Sequence, residues 1–224
     1  MPSQLVDLSQ TIEAGMPRFH GFGPPDIRPV WTHKESAARG YRDTSCEVTE
    51  VQFVTSIGTY LDAPFHFDPD GDDISQLALD NLVLPGQVLD LRGVACADEP
   101  LSDDVLHDRQ LAGAAVLLCT GWDRWWMDDT YYRPPFASRA LAQRLQALRP
   151  SLVGIDALMI DSANDPTRPA HTLLLRSGIV IVENLCRLDL LVGKRFTFAA
   201  VPAKVAGAAA FPVRAFAMIE GAPE

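Results

Sequence analysis

Short apolar runs bounded by turn residues recur along nearly the whole chain, and one segment alone has sustained helical spacing. Gln87–Leu91, Ala114–Thr120, Leu152–Ile155 and Ile179–Val182 are too short for buried helices and read as buried strands. Glu47–Thr55 sets Val, Thr, Val, Phe and Val in near alternation, a strand pattern. Leu5–Asp7, Ile27–Thr32, Phe196–Val201 and Val213–Ile219 add further strands. Ser138–Leu148 predicts a helix, with Leu141, Leu145 and Leu148 on one face, Ser138 as N-cap and Arg149-Pro150 as the stop. Thr172–Arg176 reads as a shorter helix that ends before Gly178. Strands outnumber helices, which predicts an α/β fold on a mixed sheet with few helices, not a doubly wound parallel one. No repeat or linker divides the chain, so residues 1–224 are expected to form a single domain.

The bulk numbers narrow the function. A chain of 224 residues buries enough surface to fold without a disulfide or structural metal. Its net charge of −10 argues against nucleic acid and anionic membrane surfaces as partners, because both are bound through Lys and Arg. Cys46, Cys96, Cys119 and Cys186 are widely spaced, with no CxxC pair, and read as free thiols in a reducing compartment. The first residues lack a basic stretch followed by an apolar one, and no run is long enough for a membrane helix. A cytoplasmic protein acting on a small molecule is the expectation.

The chemistry concentrates in Ser56-Ile57-Gly58-Thr59-Tyr60-Leu61-Asp62-Ala63-Pro64-Phe65-His66-Phe67. Pro64 fixes its own φ and pushes Ala63 towards an extended conformation, so Asp62 and His66 flank a stiff step. A rigid irregular stretch holding two polar side chains still is expected here. Two more polar residues stand in apolar surroundings: His171 opens Thr-Leu-Leu-Leu, and Glu183 ends Ile-Val-Ile-Val. A Glu in such a run is rarely buried unless it is paired. Asp62, His171 and Glu183 make a plausible oxygen, nitrogen, oxygen set for a divalent ion.

These residues resemble the signature His-x-Gly-Thr-His-x-Asp-x-Pro-x-His of the cyclase family, which includes bacterial kynurenine formamidase and isatin hydrolase. Gly58, Thr59, Asp62, Ala63-Pro64 and His66 match it. The likeness extends through Val6–Ile12, Gly15-Met16-Pro17, Val116–Gly121, Gly154-Ile155-Asp156, His171, Val182–Leu185 and Pro212–Ala215, in the family's order. It implies a swivelling β/β/α fold and a homodimer or homotetramer. It implies metal ligation by Asp62, His171 and Glu183, with His66 in the place of the catalytic histidine. The two signature histidines that ligate metal in the family are Ser56 and Tyr60 here.

That departure leaves three readings. A hydrolase of a small amide, N-formyl compound, lactone or related carbonyl compound would keep one divalent ion. Manganese or magnesium would gain on zinc as imidazoles are lost, and Tyr60 could donate to an oxyanion. A metal-free cyclase or lyase would use His66 in acid–base catalysis with Tyr60 as electrophile, Ser56 being a poor nucleophile outside a Gly-x-Ser-x-Gly elbow. A non-catalytic binding protein would keep only the fold. Elsewhere, Trp122, Trp125, Trp126, Tyr131 and Tyr132 are expected to pack in the core or wall a pocket or subunit contact. The resemblance implies that Phe19, His20 and Phe22 in the Pro/Gly-rich N-terminal loop reach towards an active site, in some members across a dimer interface. His33 and His107 read as solvated, and Arg214 as one half of an ion pair.

Overall fold

The computed structural model describes residues 4–41, 43–106 and 109–221. His107 lies outside them. The strands in chain order are β1 (Gln4–Asp7), β2 (Asp26–Trp31), β3 (Val48–Gln52), β4 (Tyr60–Asp62), β5 (Val83–Asp90), β6 (Pro100–Leu101), β7 (Ala115–Cys119), β8 (Phe136–Ala137), β9 (Leu152–Ile155), β10 (Val180–Glu183), β11 (Phe196–Ala199), β12 (Ala210–Pro212) and β13 (Phe216–Ile219). The α-helices are α1 (His33–Ala38), α2 (Arg139–Leu148) and α3 (Pro169–Leu175).

Nine strands form one mixed sheet in the order β1-β13-β11-β5-β7-β9-β10-β4-β12. The central neighbours β5, β7, β9 and β10 run parallel, and the flanking pairs are antiparallel. Parallel strands need cover on both faces. Here β7, β9 and β10 are buried along their full lengths. The period of two along a strand divides their side chains between two cores. Val116 and Leu118 face α2 and α3, where Leu141, Leu145, Leu174 and Leu175 cover them. Leu117 and Val182 face the opposite core, with Leu61, Phe196 and Phe198. Gly154 on β9 permits this close approach, because a Cβ there would lie 2.6 Å from Leu185 Cδ1.

The mixed sheet and the scarcity of helices agree with the sequence expectation. Several details differ. The rigid stretch expected around Asp62 is a strand of the large sheet, β4, followed by a 3-10 turn at Pro64–His66. β4 reads poorly as a strand because Pro64 ends it after three residues. Val213–Ile219 is not one strand. The chain leaves β12 at Pro212, bonds Val213 N to the Thr59 carbonyl, and re-enters as β13 at the far side of the sheet. Ile27–Thr32 and Glu47–Thr55 do form strands, but β2 and β3 pair only with each other, in a separate exposed ribbon. The helix at 172–176 starts earlier, at Pro169, a residue suited to a first turn. The short helix α1 was not foreseen, although Thr32 and Glu35 form a capping box at its start.

Trp122 and Tyr131 pack in the helix-side core, with Trp125, Trp126 and Tyr132 against them. Tyr132 also stacks on His20, ring centroids 5.3 Å apart. Arg214 pairs with Asp7, Nε to Oδ1 2.9 Å. His33 is exposed, and the four cysteines are free thiols. Among the described residues, no helix is long and apolar enough to cross a membrane.

Candidate active site

β4 and β10 lie antiparallel, with Tyr60 opposite Glu183 and Asp62 opposite Ile181. Opposed residues share a face of the sheet, so Tyr60, Asp62 and Glu183 all project towards the helix side. Leu61 and Val182, between them, fill the other core. Gly58 precedes the strand with φ +62°, a conformation few other residues accept, and its carbonyl accepts a 2.7 Å bond from Asn184 Nδ2. Asn184 Oδ1 in turn accepts from the buried Tyr131 hydroxyl at 2.8 Å. Thr59 Oγ1 donates to the Asn184 carbonyl at 2.6 Å. These bonds tie the entrance of β4 to the exit of β10.

The turn after Asp62 brings His66 back over it, with Nε2 3.7 Å from Asp62 Oδ1. α3 supplies His171 from the other side, with Nε2 3.7 Å from Asp62 Oδ2 and 3.4 Å from Glu183 Oε1. Phe67 stacks on His171 at 4.8 Å. His171 Nδ1 lies 2.7 Å from Asp161 Oδ2, which leaves Nε2 facing the carboxylates. Asp161 Oδ1 also accepts from Ala170 N at 2.8 Å, and Oδ2 from His171 N at 2.9 Å. Glu183 accepts from the Tyr60 hydroxyl and, at 2.7 Å, from Ile160 N. Asp62 is fully buried, and neither carboxylate oxygen has a hydrogen-bond partner among the described residues.

Charge and burial set the protonation pattern. Burial alone would lower the His171 pKa, but Asp161, Asp62 and Glu183 overcome it and hold the imidazole at about 10. Burial, reinforced by Asp62, pushes the Glu183 carboxyl up. Burial, then the charges of Glu183 and Asp62, drives the Tyr60 phenol far above its usual value, so it remains a donor. Burial lowers His66, and the nearby His171 adds to this against the pull of Asp62, so its neutral form dominates at pH 7.

The residues present fit a divalent ion. A buried carboxylate with no partner is costly unless a cation meets it. Asp62, His66 and His171 each offer a donor atom, all within 4.8 Å of one another. Asp62 and His171 are common to this group and to the set read from the sequence. The third member of the sequence set, Glu183, stands beside His171 with both oxygens already accepting hydrogen bonds. Ser56, Tyr60, His66, His171 and Glu183 line one cavity of about 400 Å³. Its outer wall includes Phe19 and Phe22 of the N-terminal loop, as expected. The aromatic stretch 122–132 does not line it.

Asp161 was not singled out from the sequence. A carboxylate flanked by the apolar Met159-Ile160, ten positions before His171, was the available signal. Asp161→Ala is expected to leave three buried donors without an acceptor and to cost about 2–4 kcal/mol of stability, measured by urea unfolding. A loss under about 0.5 kcal/mol would contradict this role. A second expectation concerns protons. His171 keeps its proton up to about pH 10, and a ligating imidazole must release it. Manganese loading at pH 7 should therefore release a proton, and affinity should fall about tenfold for each unit of lowered pH. Calorimetry in buffers of different ionisation enthalpy reads this directly, and a heat independent of buffer would refute it.

Comparison with known proteins identifies the family. The Cyclase family model, described as "Putative cyclase", matches residues 6–162. Kynurenine formamidase of Geobacillus thermodenitrificans is 31% identical over 218 residues, covering 96% of this chain and 97% of the relative. The solved structure of isatin hydrolase A from Ralstonia solanacearum superposes with a TM-score of 0.83 at 24% identity, over 97% of this chain and 92% of that one. A structure described as a "Potential Metal-Dependent Hydrolase With Cyclase Activity" gives a TM-score of 0.80 at 26% identity, over 98% of this chain and 100% of that one. The family model over residues 6–162 and the full-length formamidase relative show that the chain belongs to the cyclase family of hydrolases.

Proposed function

We propose that this protein hydrolyses a small amide, N-formyl compound, lactone or related carbonyl compound, with a divalent ion held by Asp62 and His171. The observation that carries the reading is the buried Asp62 carboxylate, without a hydrogen-bond partner among the described residues, set behind two imidazoles that line a cavity. Such an ion, when bound, polarises a carbonyl and acidifies a water. The chain's own groups do the rest. Asp161 fixes the His171 ring, so Nε2 is presented to the floor. Glu183 and Tyr60 hold each other in place, and the Tyr60 hydroxyl stays protonated. His66 is about one-third exposed at the cavity and neutral at pH 7, so it can take a proton and return it to the leaving atom. Phe22 and Phe67 exclude water from one side.

A second reading of His66 is favoured by its place in the compact donor group: it would ligate the ion and leave proton transfer to Glu183. His66→Ala separates the two. As a proton carrier, its loss should reduce turnover by roughly 10²–10⁴-fold with the ion retained. As a ligand, its loss should release the ion. Elemental analysis with a panel of formamides, anilides and lactones provides both readouts. Absence of a bound ion after manganese, zinc or magnesium supplementation, with no turnover in the panel, would sink the hydrolase reading. The working form is proposed to be a cytoplasmic homodimer or homotetramer. Exposed Ile27, Val30, Val48 and Val51 on the β2–β3 ribbon support self-association, and free thiols suit the compartment.

A further inference from the structure

Six arginines of this chain, Arg28, Arg92, Arg133, Arg187, Arg195 and Arg214, each have a carboxylate within ion-pair distance on the open surface. Among the described residues Arg168 has no such pair, Asp165 acting on it only from beyond that distance, although it lines the active-site cavity. It is the residue before α3, three positions from His171, and holds φ +43°, a conformation costly for any residue but glycine. Its guanidinium is held by neutral groups only. Nη1 donates to the Ser162 carbonyl and lies 3.6 Å from Met159 Sδ, and the guanidinium carbon stands 6.0 Å from the centre of the Phe19 ring. Among the described residues, Nε and Nη2 have no protein acceptor. Arg18, on the same cavity, is likewise without an acid: its Nε donates to the Phe22 carbonyl.

The cavity is therefore divided by charge. Glu183 and His171 line its floor above the buried Asp62, the guanidiniums of Arg168 and Arg18 lie on its wall, and Phe19, Phe22 and Leu158 contribute apolar surface. In a protein of net charge −10, an anion gains little from the overall field and needs a local cation to enter. A fixed guanidinium with two free edges suits a carboxylate, which it can hold through two parallel bonds. We propose that Arg168 is a specificity-determining residue that anchors a carboxylate on the substrate. This rests on the hydrolytic reading above and narrows its substrates to carboxylate-bearing ones. The anchored anion orients the molecule from its wall end. Its carboxylate stays at the wall, and its neutral scissile carbonyl faces Asp62 and His171. Arg168 touches the substrate far from the bond that breaks, so its contribution is binding and orientation.

The test compares 2-formamidobenzoate with neutral formanilide on the metal-loaded protein. Arg168→Met should lower the ratio of the two kcat/KM values by roughly 10- to 100-fold, the span expected for a charge-assisted pair. Arg168→Lys should recover part of the ratio, because it restores charge without the fork. A structural role would move both substrates alike and shift thermal stability, leaving the ratio unchanged, and that result overturns the proposal. If the wild type turns over neither compound, the hydrolytic reading loses these two formamides but not the lactones and anilides of the panel, and binding of 2-aminobenzoate by calorimetry decides the inference alone. At least tenfold weaker binding to Arg168→Met would uphold it. Equal binding to both proteins, or none to the wild type, would overturn it.

Discussion

Asp62→Asn is expected to abolish turnover, by on the order of a thousandfold or more, beyond the 10–100-fold typical of losing an outer partner of a metal ligand. The side chain keeps its shape but loses the charge that makes the site cation-seeking. In the wild type without metal, Asp62 is a fully buried carboxylate with no hydrogen-bond partner. Its compensation is the imidazolium of His171, 3.7 Å away. A neutral amide removes the desolvation of that charge and its repulsion with Glu183, while the imidazolium keeps its 2.7 Å partner Asp161. The metal-free variant should therefore melt at the same temperature as the metal-free wild type, or higher. Manganese should raise the melting temperature of the wild type and leave that of Asp62→Asn unchanged. Scanning calorimetry with and without a chelator supplies the comparison. Retained turnover, or a melting temperature that still rises with metal, would remove Asp62 from the centre of the site.

Ser56→His combined with Tyr60→His is expected to tighten zinc binding by on the order of 100-fold or more, since imidazole favours zinc over manganese. Both positions line the cavity that contains His66, His171 and Glu183. The wild-type residues cannot match two imidazoles. Ser56 offers a weak neutral oxygen, and the Tyr60 hydroxyl is committed to Glu183, with its phenol held protonated. The change has a cost of its own. Losing the Tyr60 bond leaves Glu183 short of one donor, so the metal-free variant should be about 1–3 kcal/mol less stable. Competition with a chromophoric chelator reads affinity, and urea unfolding reads stability. Unchanged or weaker zinc binding would mean that these positions do not face the ion, and would detach the altered signature from the metal preference.

Much of this protein was legible without a fold. Ala114–Thr120, Leu152–Ile155 and Ile179–Val182 became the buried parallel centre of the sheet, because aliphatic runs of that length fit only a strand covered on both faces. Ser138–Leu148 became α2 with its cap where expected. Asp62, His66, His171 and Glu183, chosen for their polarity in apolar or stiff contexts, converge on one cavity with Tyr60 and Ser56. The ribbon of β2 and β3 was legible as strands but not as a separate sheet, because alternation encodes a face and not a partner.

What the sequence determined by itself is chemical inventory and local geometry: a short, proline-terminated segment carrying Asp62 and His66, and two isolated polar residues in apolar runs. What only the tertiary structure decided is who meets whom. Tyr60 and Glu183 are 123 positions apart and bond because β4 and β10 are antiparallel neighbours in one register. Asp161 matters because α3 returns His171 to it, and Arg168 because it stands on the cavity wall with no ion pair among the described residues. Ion pairs, orphaned carboxylates and shared protons arise from distances of a few ångströms between remote segments. Those distances are set by sheet register and helix packing, which residue spacing along the chain does not encode.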